Sequence, residues 1–233
     1  MLEKIKNDAK KDLKDIFEIH DEIEEYNSRK ILDAFIENNI SENDFNSSTG
    51  YGYNDIGRDK IEDVYASIFK AEDALVRSQF ISGTHAISTC LFALLRPGDI
   101  MLSISGKPYD TLDTIIGFND NPSSLKAFNI DYKQIDLIDN NFDYNNIKDI
   151  LSNNKIKLIE IQRSKGYSTR ESISIDKIEE VIKFIRSIDK EVIIMIDNCY
   201  CELVNKKEPI EVGADICVGS LIKNLGGAIA SNG

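Results

Sequence analysis

Asp197 and Lys223 are the two residues whose types and positions suggest covalent chemistry. Val192 to Ile196 is an apolar run that ends in Asp197, and a second run, Asp215 to Val218, leads through Gly219 and Ser220 to Lys223 and Gly226-Gly227. Two short β-rich runs joined by a polar connection are expected as buried strands of an α/β sheet, with polar residues at their carboxyl ends, where such sheets bind ligands. A lysine amine there can condense with an aldehyde, and a carboxylate can hold a proton on a pyridine nitrogen; pyridoxal 5'-phosphate (PLP) requires both. An aspartate capping a turn and a solvated loop lysine would look the same, so further residues must decide.

Far upstream, Ser82-Gly83-Thr84-His85 turns directly into an apolar-faced helix carrying Ala86, Ile87, Cys90, Leu91, Leu94 and Leu95. A small-residue turn at a helix start leaves backbone N–H groups unpaired, and the aligned peptide dipoles favour a dianion such as a phosphate there. Ordinary capping by Ser82 or Thr84 is the alternative. Tyr109, in Ser105-Gly-Lys-Pro-Tyr-Asp110, stands at a strand-to-helix junction where an aromatic ring can lie against a cofactor ring or simply pack at the rim; His85 is a second candidate for that face. Arg163 and Arg170, in a polar loop, are read either as holding a substrate carboxylate or phosphate or as solvated arginines.

These residues need a scaffold. The hydrophobic pattern predicts strands at Ala74 to Phe80, Ile100 to Ile104, Ile130 to Ile135, Ile156 to Ile161, Val192 to Ile196 and Asp215 to Val218. Helices are expected from Arg58, after Ser82, after Pro108, at about Tyr144 to Leu151, and from Ser174 with Ile178, Val181, Ile182 and Ile185 on one face. Alternation of this kind predicts an α/β fold: a mostly parallel sheet with helices on both faces. Residues 1–57 are expected to form an N-terminal arm, with two amphipathic helices broken near Tyr26-Asn27-Ser28 and a glycine-spaced loop containing Tyr51 and Tyr53; residues 58–233 form the sheet domain.

Composition narrows the function classes. The 233-residue chain has a formal net charge of −12 and no basic block, which argues against nucleic acid and anionic membranes as partners. No apolar run approaches the roughly 20 residues that span a bilayer, and the charged Met1 to His20 segment lacks a signal-peptide core, so the cytoplasm is the expected location. Cys90, Cys199, Cys201 and Cys217, with only His20 and His85 beside them, lack zinc-site spacing, so no metal is expected and the cysteines are read as small buried hydrophobes.

Taken in order, Gly83 and Thr84, Tyr109, Asp197 and Lys223 resemble the large domain of fold-type I PLP-dependent enzymes. The chain is similar to the Cys/Met-metabolism branch in Tyr51-Gly-Tyr53, Ser82-Gly-Thr-His-Ala-Ile87, Leu94-Leu-Arg-Pro-Gly-Asp99, Ile196-Asp-Asn-Cys-Tyr200 and Ser220-Leu-Ile-Lys223. It is most similar to the methionine gamma-lyase-like group labelled aluminium resistance proteins, through Ser105-Gly-Lys-Pro-Tyr-Asp110, Gln162-Arg-Ser-Lys-Gly-Tyr167 and Lys223-Asn-Leu-Gly-Gly227.

The resemblance implies PLP as cofactor, with Lys223 as its attachment point and as the base at Cα, and Asp197 on the ring nitrogen. It implies Gly83, Thr84 and Ser220 at the phosphate, and the Tyr51 or Tyr53 hydroxyl on the phosphate of a neighbouring subunit's cofactor, hence a homo-oligomer. The expected activity is carbon–sulfur bond cleavage in a small sulfur amino acid. Another PLP-dependent reaction, such as transamination or decarboxylation, and a non-catalytic scaffold of the same fold are the alternatives. Ile222 stands where those lyases carry a hydroxyl residue, and Ser105-Gly106 where they carry a tyrosine before glycine. Because members of this fold continue well past the lysine into a small C-terminal domain, the chain is expected to be an N-terminal fragment lacking it.

Overall fold

The structure, a computed structural model, describes residues 1–47 and 55–225. Its centre is a five-stranded parallel sheet of β1 (Ile100–Ser103), β2 (Asp131–Gln134), β3 (Leu158–Gln162), β4 (Ile193–Asp197) and β5 (Ile216–Val218), in the order β2-β1-β3-β4-β5. Strands β3 and β4 are buried along nearly their whole length because both sheet faces are covered, which is the usual condition of a parallel sheet.

One face carries Leu102, Ile104, Ile159, Ile161, Ile194 and Ile196 against α6 (Tyr144–Asn153) and α7 (Ile175–Ile188), whose Ile147, Ile178, Val181, Ile182 and Ile185 are buried. Met101, Leu158, Met195 and Val218 face the other way, onto Ala86, Ile87 and Leu91 of α4 (Gly83–Leu94) and Ile116 of α5 (Asp113–Ile116). The parallel α/β sheet with helices on both faces is therefore present, and the strands all deliver their carboxyl ends to one edge.

Three local expectations are corrected. Ala74 to Phe80 is not a strand: the Val76 N–H donates to Glu62 Oε1 at 2.9 Å and the Arg77 guanidinium pairs with Glu62 Oε2 at 2.8 Å, so a helix-borne carboxylate takes polar groups that a ladder would have used. That helix, α3, runs Ile56–Phe69. The N-terminal arm breaks at Leu13, between α1 (Leu2–Asp12) and α2 (Lys14–Glu37), rather than near Asn27. Asn27 lies inside α2, buried, its amide donating to the carbonyls of Leu203 at 2.9 Å and Asn205 at 3.1 Å. After Pro108 there is a single 3-10 turn, Asp110–Leu112, running into the four-residue α5, not a full helix.

Candidate active site at the carboxyl edge of the sheet

Asp197 closes β4, in register with Gln162 of β3 and Val218 of β5. Side chains alternate along a strand, so Asp197 shares the α4 face with Met195. It is 4 % exposed, and its Oδ1 accepts the Cys199 N–H at 3.0 Å. Burial pushes this carboxyl above the usual range, while the bonds from Cys199 and the charge of Lys223 pull it back. The electrostatic reach of Lys223 also extends to the Cys199 thiol, which burial and Asp197 hold in its protonated form.

The small-residue turn at the start of α4 meets both of these strand ends. Ser82 is extended and its Oγ accepts the His85 N–H at 3.1 Å, which caps α4. The Gly83 and Thr84 N–H groups, in the first turn, have no helical carbonyl to bond. A Cβ placed on Gly83 would lie 3.0 Å from Ser220 Cβ and 3.1 Å from Cys199 Sγ. Only glycine allows so close a packing of the α4 turn, the segment after β4 and the segment after β5. Ser220 is buried, and its N–H is already given to Glu202 Oε1 at 2.9 Å, so its side-chain hydroxyl is the group left for a ligand. Thr84 Oγ1 lies 2.7 Å from Thr111 Oγ1, which ties the α4 turn to the turn after Tyr109.

Lys223 Nζ stands over two rings, 4.3 Å from the centroid of Tyr200 and 6.0 Å from that of Tyr109. Tyr200 reaches this place from a left-handed backbone, φ 70°. Tyr109 pairs with Tyr167, ring centroids 5.7 Å apart, and a hydrogen bond with Tyr167 raises its phenol to about 12. The loops that carry these two tyrosines border a cavity of about 570 Å³, also lined by Gln162 and Arg170, beside the Asp197 and Lys223 positions rather than around them.

Of the residues singled out from sequence, Gly83, Ser220, Asp197, Lys223 and Tyr109 converge, with Thr84 joined to them through Thr111. The His85 ring turns toward its own segment: Nδ1 accepts the Ile81 N–H at 3.4 Å and the ring meets Phe80 edge-on. Tyr51 and Tyr53 lie outside the described residues. Arg163 is neither a ligand-holding nor a solvated arginine. It is 2 % exposed and donates to the Ile173 carbonyl, Asn198 Oδ1, the Cys201 carbonyl and Asn205 Oδ1, bracing the segment beyond Asp197. Arg170 gives its N–H groups to the carbonyls of Gln162, Ser164 and Glu171.

Sequence reasoning missed Cys199, Tyr200 and Glu202 as neighbours of the lysine loop, and the buried pair of Ser103 on β1 and Glu160 on β3. The one signal for the last was a glutamate in the middle of the apolar run Leu158-Ile-Glu-Ile161.

Among the described residues no cluster of three or more His, Cys, Asp or Glu could hold a metal ion, and no helix is long and apolar enough to cross a membrane. Residues 2–233 match the family model described as methionine gamma-lyase. An uncharacterized Bacillus subtilis protein, YnbB, is 49 % identical over 225 residues, 94 % of this chain and 53 % of its own length. Two solved structures, both described as candidate cystathionine beta-lyases involved in aluminium resistance, are similar throughout. The one from Listeria innocua is 50 % identical with a TM-score of 0.96, covering 100 % of this chain and 57 % of its own; the one from Clostridium acetobutylicum is 52 % identical with a TM-score of 0.94, covering 97 % and 55 %. The chain thus spans about half the length of the curated relatives it matches. With its parallel sheet and the turn, acid and lysine gathered at one edge, the chain belongs to the methionine gamma-lyase family.

Proposed function

We propose that this chain is the cofactor-holding part of a PLP-dependent carbon–sulfur lyase acting on a sulfur amino acid. The observation that carries the reading is the contact of Gly83 with Ser220 and Cys199. It puts the small-residue turn of α4 against the segment that follows Asp197 and the segment that leads to Lys223, which supports a shared site for a phosphate, a ring nitrogen and an aldehyde. The family match and the lyase descriptions of the two solved relatives support the same reading.

When bound, PLP supplies an electron-poor ring that accepts the electron pair left at the substrate Cα. Gly83 and Thr84 would donate their N–H groups, and Ser220 its hydroxyl, to the phosphate. Asp197, as a carboxylate, would accept the N–H of the ring nitrogen and by its negative charge hold that nitrogen protonated. Lys223 Nζ would bind the aldehyde and, once displaced by the substrate amine, take the Cα proton. Tyr109 would lie against one ring face. Loss of a thiol from the side chain would complete the elimination, in a homo-oligomer.

Borohydride reduction in the presence of PLP tests the assignment. Peptide mapping is expected to find a pyridoxyl group on Lys223, absent from Lys223→Ala. Equal labelling of the variant, or labelling spread over surface lysines, would sink it.

A further inference from the structure

Glu160 sits in the middle of β3, fully buried, on the same face of the sheet as Asp197. Its Oε2 lies 2.7 Å from Ser103 Oγ, and Ser103 Oγ lies 2.7 Å from the Gly106 carbonyl oxygen. Among the described residues Glu160 Oε1 has no partner.

The Tyr132 phenol also reaches Ser103, but it supplies no proton to the contact between Ser103 and Gly106, so proton counting over Glu160, Ser103 and Gly106 decides what the group can be. A carbonyl oxygen only accepts, a carboxylate only accepts, and a serine hydroxyl carries one proton. If Glu160 were ionised, Ser103 could satisfy the carboxylate or Gly106, and the other contact would set two lone pairs 2.7 Å apart. A carboxylic acid removes the conflict: Glu160 O–H donates to Ser103 Oγ, and Ser103 O–H donates to the Gly106 carbonyl. We propose that Glu160 is a positioning residue that keeps its proton in the folded chain and, through Ser103, anchors the loop that presents Tyr109.

The surroundings agree. Gly106 has φ +89°, and its N–H donates to the Ile135 carbonyl at 2.9 Å, so the Ser103 bond to its carbonyl fixes the second side of a turn that only glycine adopts easily. Ser105 Oγ accepts the Gln162 N–H at 2.8 Å, which holds the next residue of the same loop. The charged and titratable groups facing Glu160 are Asp197 from β4, Arg170 from the segment after β3, and Tyr132 from β2. Arg170 is the one cation among them, and its N–H groups are bonded to backbone carbonyls. Burial accordingly raises the Glu160 carboxyl to about 8, against the pull of Ser103 and with a push from Asp197. Loss of the proton would turn the Ser103 hydroxyl to the carboxylate and release Gly106.

The role given to the Tyr109 loop rests on the proposed function, but the test does not: it uses the 233-residue chain without cofactor. Amide hydrogen exchange over residues 104–112 is compared at about pH 6.5 and about pH 9.5, corrected for intrinsic rates, in wild type, Glu160→Gln and Glu160→Ala. Wild type is expected to lose roughly tenfold in protection between the two. Glu160→Gln, whose amide can donate to Ser103 without titrating, should match wild type at the lower pH and stay protected at the higher. Glu160→Ala should be unprotected at both. An infrared carboxylic-acid C=O band in wild type that disappears across the same interval, and is absent from Glu160→Gln, is the second reading, taken even if Glu160→Ala fails to fold. Identical pH profiles for wild type and Glu160→Gln, or no such band in wild type, would overturn the proposal.

Discussion

Replacing Gly83 by alanine tests the convergence of the site with the smallest perturbation available. The added methyl would stand 3.0 Å from Ser220 Cβ and 3.1 Å from Cys199 Sγ, where carbon atoms prefer about 3.5–4.0 Å. Ser220 and Cys199 are themselves buried, so neither can move aside cheaply, and the start of α4 must shift outward by a few tenths of an ångström. Overpacking of this kind costs about 1–3 kcal/mol. Alanine recovers roughly 0.5–1 kcal/mol of backbone entropy in a helix, though less at the first position, which leaves a net loss of about 0.5–2 kcal/mol. For a chain of this length each kcal/mol lowers the melting temperature by roughly 2–4 °C, so a fall of about 1–8 °C is expected.

The same shift moves the Gly83 and Thr84 donors, and PLP binding should weaken about tenfold, close to 1.4 kcal/mol. The discriminating assay is a double-mutant cycle on the cofactor-free chain with Ser220→Gly, which removes the closest atom. Contacting residues should show a coupling of at least about 0.5 kcal/mol, with the double variant recovering stability. Additive losses, or Gly83→Ala melting and binding PLP like wild type, would refute the claim that these segments meet here.

Arg163→Met should lower stability by about 2–4 kcal/mol in denaturant titration, because four acceptors in a buried place lose their donor; a change within experimental error would show the brace to be dispensable. Asn27→Ala should cost about 1–2 kcal/mol and speed protease cleavage of the arm, since its two bonds to Leu203 and Asn205 hold α2 to the body; unchanged cleavage would contradict this. Glu160 should make the fold less stable as pH rises. Between an unfolded value near 4.3 and about 8, the folded chain holds one proton more than the unfolded chain, so the contribution is full at acid pH, declines across that window and is flat above it. Glu160→Gln removes this dependence, and the variant should gain on wild type by on the order of 5 kcal/mol between the two ends of the window, measured by urea unfolding at each pH. Parallel stability profiles would refute it.

Three of the places where pattern reading went astray share a cause. Ala74 to Phe80 has strand composition, yet Glu62, fourteen residues before Val76, takes its N–H. Tyr26-Asn27-Ser28 looks like a helix break, yet the Asn27 amide is used 176 residues away on Leu203. Arg163 sits in a polar stretch like any solvated arginine, and its partners lie as far as 42 residues on. In each case a polar side chain was satisfied by a group distant in sequence, which local periodicity does not register.

What the chain's order of residues determined by itself was the sheet: β1 to β5 and the helices α4, α6 and α7 follow from apolar runs and 3.6-residue spacing, since burial on two faces leaves its mark on every strand. The types of the site residues, an acid, a lysine and a glycine turn, were equally legible, because residue types and their places at the ends of apolar runs are read directly from the sequence. Only the folded arrangement decided that Gly83 lies against Ser220 and Cys199, that Tyr200 bends under Lys223, and that Glu160 Oε2 lies 2.7 Å from Ser103 Oγ. Those are distances between residues far apart along the backbone, and they are set by how strands and helices pack, not by any stretch read alone.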